Sequence, residues 1–472
     1  MNANSWQLGV GALALALRAG ALEPVQLLDI FLERIARLDP ILNTMVAMNV
    51  DAARAQAQAS AARLWRSEPL SPLDGIPITI KDNLLERDFP ATWGSEGYAN
   101  HIPEHDELPV ERLRAAGAVI IGKTNVPELA LQGYTSNHLF GTSRNPWDIR
   151  LTPGGSSGGA AAGVAAGLAP AAIGTDGGGS IRRPACHTGL VGFKPSIGRY
   201  ARANGFPELL SDFEVIGTLA HSVDDSMLLD AILAGPSERD PRSHAPAAQK
   251  KRDSSSRPLR ILYVPRFGDC PLDREVEWAT DSTAQWLLDH EYQLEHGPIP
   301  FDRAEIDEVW RVIGCSAVAH LVRRQGTSFE AVLGPFVTAR AREGDAITAA
   351  DYVGALERVS SFRTQMAELF NRYDLVFTPS AAALPWPAEE SHPTEIDGRP
   401  AGPRGHAIYT GWVNVCGHPA INLPLESSRS GLPIGGQFVG AYASDEDLLE
   451  FARRFEAARE RTSLWPRFAL DS

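Results

Sequence analysis

The chain has 472 residues, 44% of them hydrophobic and 22% charged, the profile of an ordinary globular protein; it excludes a disordered chain and leaves ample material for a core. The formal net charge of −14 argues against a nucleic acid or an anionic membrane surface as the main partner. The 42 glycines and 34 prolines make up about one residue in six, above the roughly 12% of average usage.

Met1–Gln7 carries no Lys or Arg, so the apolar run Leu8–Leu17 lacks both the charged leader of a signal peptide and the length of a membrane span. Residues 6–68 read as helices. Pro24 opens one, and Val25, Leu28, Phe31, Leu32, Ile35 and Leu38 recur at helical spacing until Asp39-Pro40 stops it. Ala52–Leu64 is a second, rich in Ala and Arg. From residue 75 the pattern changes to short apolar strands (Ile76–Ile80, Ala118–Ile121, Ala171–Gly174) alternating with helices (Val110–Ala116, Gly159–Gly167), which implies a mixed or parallel sheet with helices on its faces. Leu151–Thr175 has no charge but few large side chains. Its spacing Gly159-x-x-x-Gly163-x-x-x-Gly167 serves close packing in a soluble core as well as in a membrane. Residues 236–258 read as a surface loop, polar and Pro-rich over Asp240–Pro258. Arg260–Val264 and Asp374–Thr378 are further strands. Pro419–Leu425 and Pro433–Gly440 make a hairpin. Ser444 and Asp447 form a capping box before Leu448, Leu449, Phe451, Ala452 and Phe455. Cys186, Cys270, Cys315 and Cys416 are too widely spaced for a disulfide framework or a metal cluster, so the expected setting is reducing and cytoplasmic, without a bound metal.

Three glycine-containing motifs compete. Gly117-Ala-Val-Ile-Ile-Gly122-Lys123-Thr124 matches the phosphate-loop expression, but its inner residues are a buried strand where a flexible loop is needed. Gly154-Gly-Ser156-Ser157-Gly158 matches the nucleophile elbow, yet Arg150-Leu-Thr-Pro-Gly is a poor strand to feed one. Gly174-Thr-Asp176-Gly177-Gly178-Gly179-Ser180-Ile-Arg182 can fold tightly and aim successive N–H groups at one spot, as an oxyanion or phosphate nest does; taken alone it is equally a plain tight turn.

Together, Gly75-Ile-Pro-Ile-Thr-Ile-Lys81-Asp-Asn, Thr152-Pro-Gly-Gly-Ser156-Ser157-Gly-Gly and the 174–182 segment closely resemble the amidase signature family. The resemblance continues through Arg112–Asn125, Gly141–Trp147, Pro184–Pro195, Asn414–Pro424 and Leu432–Gln437, and weakens between 236 and 370. It implies one α/β/α domain over 1–472, with a large mixed central sheet covered by helices on both faces. Within it lie a helical region (1–68), a catalytic core (70–235), the 236–258 loop, and the rest of the sheet with the substrate pocket (259–472). It also implies a Ser-Ser-Lys triad. Ser180 would be the nucleophile, Ser156 the bridging serine after a cis peptide, and Lys81 the base. Gly177, Gly178, Gly179 and Ser180 would supply the oxyanion hole. Ser157 would support Ser156, and Asp176 and Arg182 would brace the glycine loop. No cofactor is called for.

The chemistry makes demands of its own. Lys81 can take a proton only when neutral, and lowering its pKa by about three units requires roughly 4 kcal/mol of destabilisation of the ammonium, which burial can supply. Ile76, Ile78 and Ile80 alternate, which places Thr79 and Lys81 on the opposite face. Asp82 should point away, since a close carboxylate would raise the lysine pKa. The expected activity is hydrolysis of a small amide, and a homodimer is compatible with it. Tyr409, Trp412 and Cys416, with Trp310 and Cys315 from the divergent region, are candidates for an apolar or aromatic acyl pocket, and Arg340 for binding a carboxylate or capping a helix. Two alternatives from the same family stay open: a hydrazide or cyclic amide hydrolase, and the glutamine-hydrolysing component of a tRNA-dependent amidotransferase. Against the latter, Ala407 stands where its glutamine-recognising Asp is expected. A phosphate-binding module on Gly117–Thr124 is the alternative from another class.

Overall fold

A computed structural model describes residues 4–244, 257–290, 292–459 and 465–470. Among them eleven strands form one sheet. From edge to edge the order is Met45–Met48, Val119–Thr124, Pro77–Lys81, Ala171–Asp176, Val215–Ala220, Val191–Lys194, Ala420–Pro424, Gly435–Gly440, Leu375–Pro379, Arg260–Tyr263 and Gln293–His296. Pairing is parallel from Val119–Thr124 through Pro77–Lys81 to Ala171–Asp176. It is antiparallel through the centre, and parallel again from Leu375–Pro379 to the far edge. Val191–Lys194 pairs with Ala420–Pro424, so the sheet is continuous across the predicted surface loop. Of that loop, Pro241–His244 is a 3-10 turn and residues 245–256 lie outside the described residues.

Every residue of Pro77–Lys81, Val119–Thr124, Ala171–Asp176, Val215–Ala220 and Leu375–Pro379 is buried. Consecutive side chains of a strand point to opposite faces, so the sheet is covered on both. The two tail strands are antiparallel neighbours as the hairpin pattern predicts.

Several local expectations are revised. Helix Pro24–Leu42 runs past Asp39-Pro40 to Asn43 in the left-handed region. A proline in the last turn removes only one helical hydrogen bond, and the Asp39 carboxylate receives the N–H groups of Thr44 (2.7 Å) and Met45 (3.2 Å) beyond it. Met45–Met48, inside a stretch read as helical, is an edge strand antiparallel to Val119–Thr124. Ser444 stands at the N-cap of Asp445–Ala458, but its hydroxyl donates to Ala441 O (2.7 Å), so the capping box does not form. The Gly117–Thr124 match is a strand. Lys123 is fully buried within it and donates to Asp82 O (3.3 Å) and Leu84 O, so no phosphate loop exists there.

The uncharged small-residue segment is helix Gly158–Ala165, buried throughout. No described helix is long and apolar enough to cross a membrane. Close approach accounts for its composition. A Cβ at Gly159 would lie 2.6 Å from Asn125 N and 2.7 Å from Asn125 O, whereas one at Gly163 would meet only Thr44, at 3.5 Å. Gly159→Ala is therefore expected to destabilise the protein by about 1–3 kcal/mol through overpacking. Gly163→Ala should be neutral or stabilising by up to about 1 kcal/mol, since alanine suits a helix interior better. Chemical denaturation of the two variants checks the contrast; equal stabilities would contradict it.

Candidate active site

Lys81 ends an interior strand, third from one edge of the sheet, whose Ile78 and Ile80 fill one side of the sheet. Its side chain, on the other side, is 0% exposed. The Nζ donates to Ser156 Oγ (2.7 Å), Thr175 Oγ1 (2.8 Å) and Thr175 O (3.4 Å), and Asn83 Nδ2 also donates to Thr175 Oγ1 (3.0 Å). Asp82 turns the opposite way, as expected: its carboxylate accepts from Thr92 Oγ1 (2.5 Å), Thr92 N and Gly94 N. Burial lowers the Lys81 pKa from 10.5 to about 7 against the pull of Glu214 and Asp176, with the charges of Arg202 and Arg183 assisting.

Ser156 follows a cis Gly155–Ser156 peptide and precedes helix Gly158–Ala165. Ser157 binds this loop to its neighbour. Its hydroxyl donates to Thr175 O (3.1 Å) and its amide to Ser180 O (3.2 Å). Ser180, 8% exposed, lies between strand Ala171–Asp176 and helix Arg182–Thr188, on the glycine turn.

That turn is built around a buried ion pair. The Asp176 carboxylate receives Gly179 N (2.6 Å), Ile181 N (3.1 Å), Arg182 Nε (3.0 Å) and Nη2 (2.8 Å), and Asn414 Nδ2 (3.0 Å). Arg182 continues to Asn414 Oδ1 (2.6 Å), Thr410 O (3.2 Å) and Gln437 Oε1. Both side chains are completely buried. Burial alone would raise the Asp176 pKa, but the charge and hydrogen bonds of Arg182 hold it far below the usual carboxylate range. A charge pair removed from water is tolerated when its remaining hydrogen-bonding capacity is filled, as it is here. Gly179 has φ +111°, a conformation that side chains rarely adopt, and a Cβ there would collide with Thr410 and Arg183. Its N–H is directed at Asp176 (2.6 Å), so Gly179 is not free for the oxyanion role expected of it.

Ser180, Gly177 and Gly178 open on a cavity of about 760 Å³. Its wall carries Leu131, Leu210, Trp310, Phe336 and Ile408, and also Arg183, Arg303, Arg340 and Arg404. Trp310 lies against Gly178. The other proposed pocket residues do not border this cavity. Tyr409 is core, its hydroxyl donating to Pro265 O (2.9 Å) and its ring against Phe267. Cys416 donates to Val413 O (3.4 Å) on the fully buried helix Gly411–Cys416. Trp412 packs on Phe301 beside a narrow crevice behind Trp310. Cys315 is buried against Glu343 (3.4 Å). Aromatic and thiol side chains suit a core as well as a pocket, and here the core takes four of the five.

Sequence reasoning gave no role to Thr175, which shares Lys81 with Ser156. The same holds for Asn414 and Gln437, whose polar side chains inside an apolar tail were the available signal. Arg183 was also missed; it donates to Thr410 Oγ1 (2.9 Å), Gly155 O (3.4 Å) and Gly178 O.

The Amidase family model matches residues 26–449 of the chain. The glutamyl-tRNA(Gln) amidotransferase A-type chain of Synechococcus sp. (strain CC9605) is 32% identical over 481 residues, covering 96% of this chain and 97% of that protein. Among solved structures, a bacterial aryl acylamidase of the amidase signature enzymes family is 26% identical with a TM-score of 0.87, covering 98% of this chain and 97% of its own. The peptide amidase of Stenotrophomonas maltophilia is 27% identical with a TM-score of 0.81, covering 98% and 99%. A family match across most of the sequence and full-length likeness to amidases in structure lead to one conclusion: the chain belongs to the amidase signature family and is a hydrolase of amide C–N bonds.

Proposed function

We propose that the chain hydrolyses a small carboxylic amide through an acyl-enzyme on Ser180, with Ser156 and Lys81 relaying the proton. The observation that carries this reading is a fully buried lysine 2.7 Å from Ser156 Oγ. A neutral lysine has two N–H groups and one lone pair. The two Thr175 oxygens accept the N–H groups, and the lone pair is left for the Ser156 hydroxyl. Ser180 Oγ then attacks the carbonyl carbon, its proton passing to Ser156 as the Ser156 proton passes to Lys81. The carbonyl oxygen becomes an oxyanion facing the Gly177, Gly178 and Ser180 amides, donors of a kind worth roughly 10²–10³ in rate each. Collapse breaks the C–N bond, and the amine leaves with a proton returned through Ser156. Water cleaves the ester by the same relay.

A second reading, the glutamine-hydrolysing component of an amidotransferase, is supported by the 32% identity to such a protein over nearly its whole length. It applies the same serine chemistry to glutamine. Ala407 borders the cavity and offers no carboxylate to a substrate amino group, which favours the stand-alone amidase.

Two predictions separate and test these readings. Purified alone, the chain should hydrolyse aryl or alkyl amides, and mass spectrometry should find the acyl group on Ser180. Ser180→Ala should lose at least ~10³-fold in kcat while keeping its melting temperature. Glutaminase activity that appears only with partner chains would favour the second reading; full activity in Ser180→Ala would sink both.

The pH profile is the other test. The base works as the neutral amine, so kcat/KM should rise with pH and level off above an inflection near 7, far below the ordinary lysine value of 10.5. Glu214 is the carboxylate that most raises this pKa, so Glu214→Gln should move the inflection to lower pH. A profile that does not move, or moves upward, would contradict the assignment.

A further inference from the structure

Arg183 stands where a cation is disfavoured twice. It is 5% exposed, and it occupies the first turn of helix Arg182–Thr188. Burial penalises its charge, and a cation in a first turn opposes the helix dipole. Its neighbour Arg182 has the Asp176 carboxylate at 2.8 Å. Arg183 donates instead to neutral oxygens: Thr410 Oγ1 (2.9 Å), Gly155 O (3.4 Å) and Gly178 O. Burial lowers its pKa to about 9 against the pull of Asp176, which leaves it a cation at pH 7. The catalytic steps above do not use it.

Its partners belong to the two turns that carry the catalytic serines. Gly178 O and Gly179 N–H are the two ends of one peptide of the glycine turn. Asp176 receives the N–H (2.6 Å), and the carbonyl receives Arg183 and the Thr410 hydroxyl (2.8 Å), so this peptide is held from both sides. Gly155 O belongs to the peptide that leads into Ser156. One guanidinium therefore touches both turns. Ser157 makes another link between them, its amide donating to Ser180 O (3.2 Å). A single tie leaves two turns free to pivot about it, and a second removes that freedom. The relay requires the Ser180 and Ser156 oxygens to come within hydrogen-bonding reach, and a misplacement of about 1 Å can cost about 10² in rate.

We infer that Arg183 is a positioning residue: its guanidinium holds the turn of Ser180 in register with the turn of Ser156, so that the proton passes between the two serines. The inference rests on the Ser180 acyl-enzyme reading and adds a residue to it. A planar fork suits the task, since its two terminal nitrogens reach acceptors on two segments at once, whereas a lysine ammonium is a point charge. The charge of Arg183 has a second effect. Glu214 and Asp176 favour the Lys81 ammonium, and Arg202 and Arg183 oppose it. Asp82, next to Lys81 in the chain, is turned away toward Thr92. Removing the Arg183 charge therefore favours the ammonium and raises the pH at which Lys81 becomes a base.

Two substitutions separate fork from charge. Arg183→Lys keeps the charge and loses the fork, and Arg183→Gln loses both. In each, kcat for a small aryl or alkyl amide should fall about 10–100-fold, with KM changed less than about threefold. The inflection of kcat/KM should stay near 7 in Arg183→Lys and move to higher pH in Arg183→Gln. A second readout needs no amide: the rate at which a fluorophosphonate labels Ser180, followed by mass spectrometry. There the Ser180 oxygen bonds to phosphorus, fluoride leaves, and the hydroxyl proton passes to the Ser156–Lys81 relay. Labelling should slow by about 10–100-fold in both variants. If no amide is cleaved but labelling slows in both, the amide reading fails and the positioning role stands. Ser180 left unlabelled in the unsubstituted chain removes the acyl-enzyme reading and this role with it. Undiminished kcat and labelling in both variants would overturn the proposal, as would a raised KM with kcat unchanged, the mark of a substrate contact. Loss of the melting transition in both would make Arg183 a folding residue and overturn it too.

Discussion

The structure depends on keeping one lysine dry and free of a carboxylate partner. All three described lysines, Lys81, Lys123 and Lys194, are 0% exposed. Burial lowers each pKa, that of Lys194 to about 8. Their partners separate them. Lys123 donates to the backbone oxygens of Asp82 and Leu84, and Lys194 to Pro195 O (2.8 Å). A carbonyl can only accept. Lys81 faces the hydroxyls of Ser156 and Thr175, and a hydroxyl can give a proton up. The sheet buries all three lysines; Lys123 has the Asp82 carboxylate 3.9 Å away, whereas Lys81 is hydrogen-bonded to two hydroxyls.

Fixed charge around this lysine is arranged on the same logic. Asp176, the residue next to Thr175, would be a direct threat to a neutral amine if it were unpaired. Instead it is held by Arg182, Asn414 and the amides of the glycine turn. The pair thus shapes the turn and mutes the carboxylate at once. Glu214, the strongest remaining pull on Lys81, is tied to Arg202 and faces the cavity.

Much of this was legible in the sequence because it is local. The alternation of Ile76, Ile78 and Ile80 places Lys81, and the glycine runs mark the two turns on which Ser156 and Ser180 sit. The hairpin of the tail strands follows from its own residues. The features that were not legible are set at a distance. Met45–Met48 becomes a strand because Val119–Thr124 offers an edge, not because its composition differs from that of the flanking helices. Tyr409, Trp412 and Cys416 suit a pocket by residue type alone; their helix is buried on every side. The basic wall comes from Arg183, Arg303, Arg340 and Arg404, residues scattered over half the chain, whose convergence no local pattern encodes.

The central claim is that Lys81 is a neutral base near pH 7, and the chain suits a direct measurement. It has five lysines, three of them in the described core. With ¹³C-labelled lysine, the Lys81 Cε resonance, assigned by its loss in Lys81→Met, can be followed by NMR against pH in the resting enzyme. The account predicts a titration centred near 7. A Lys81 that stays protonated up to the ordinary lysine value of 10.5 would contradict it.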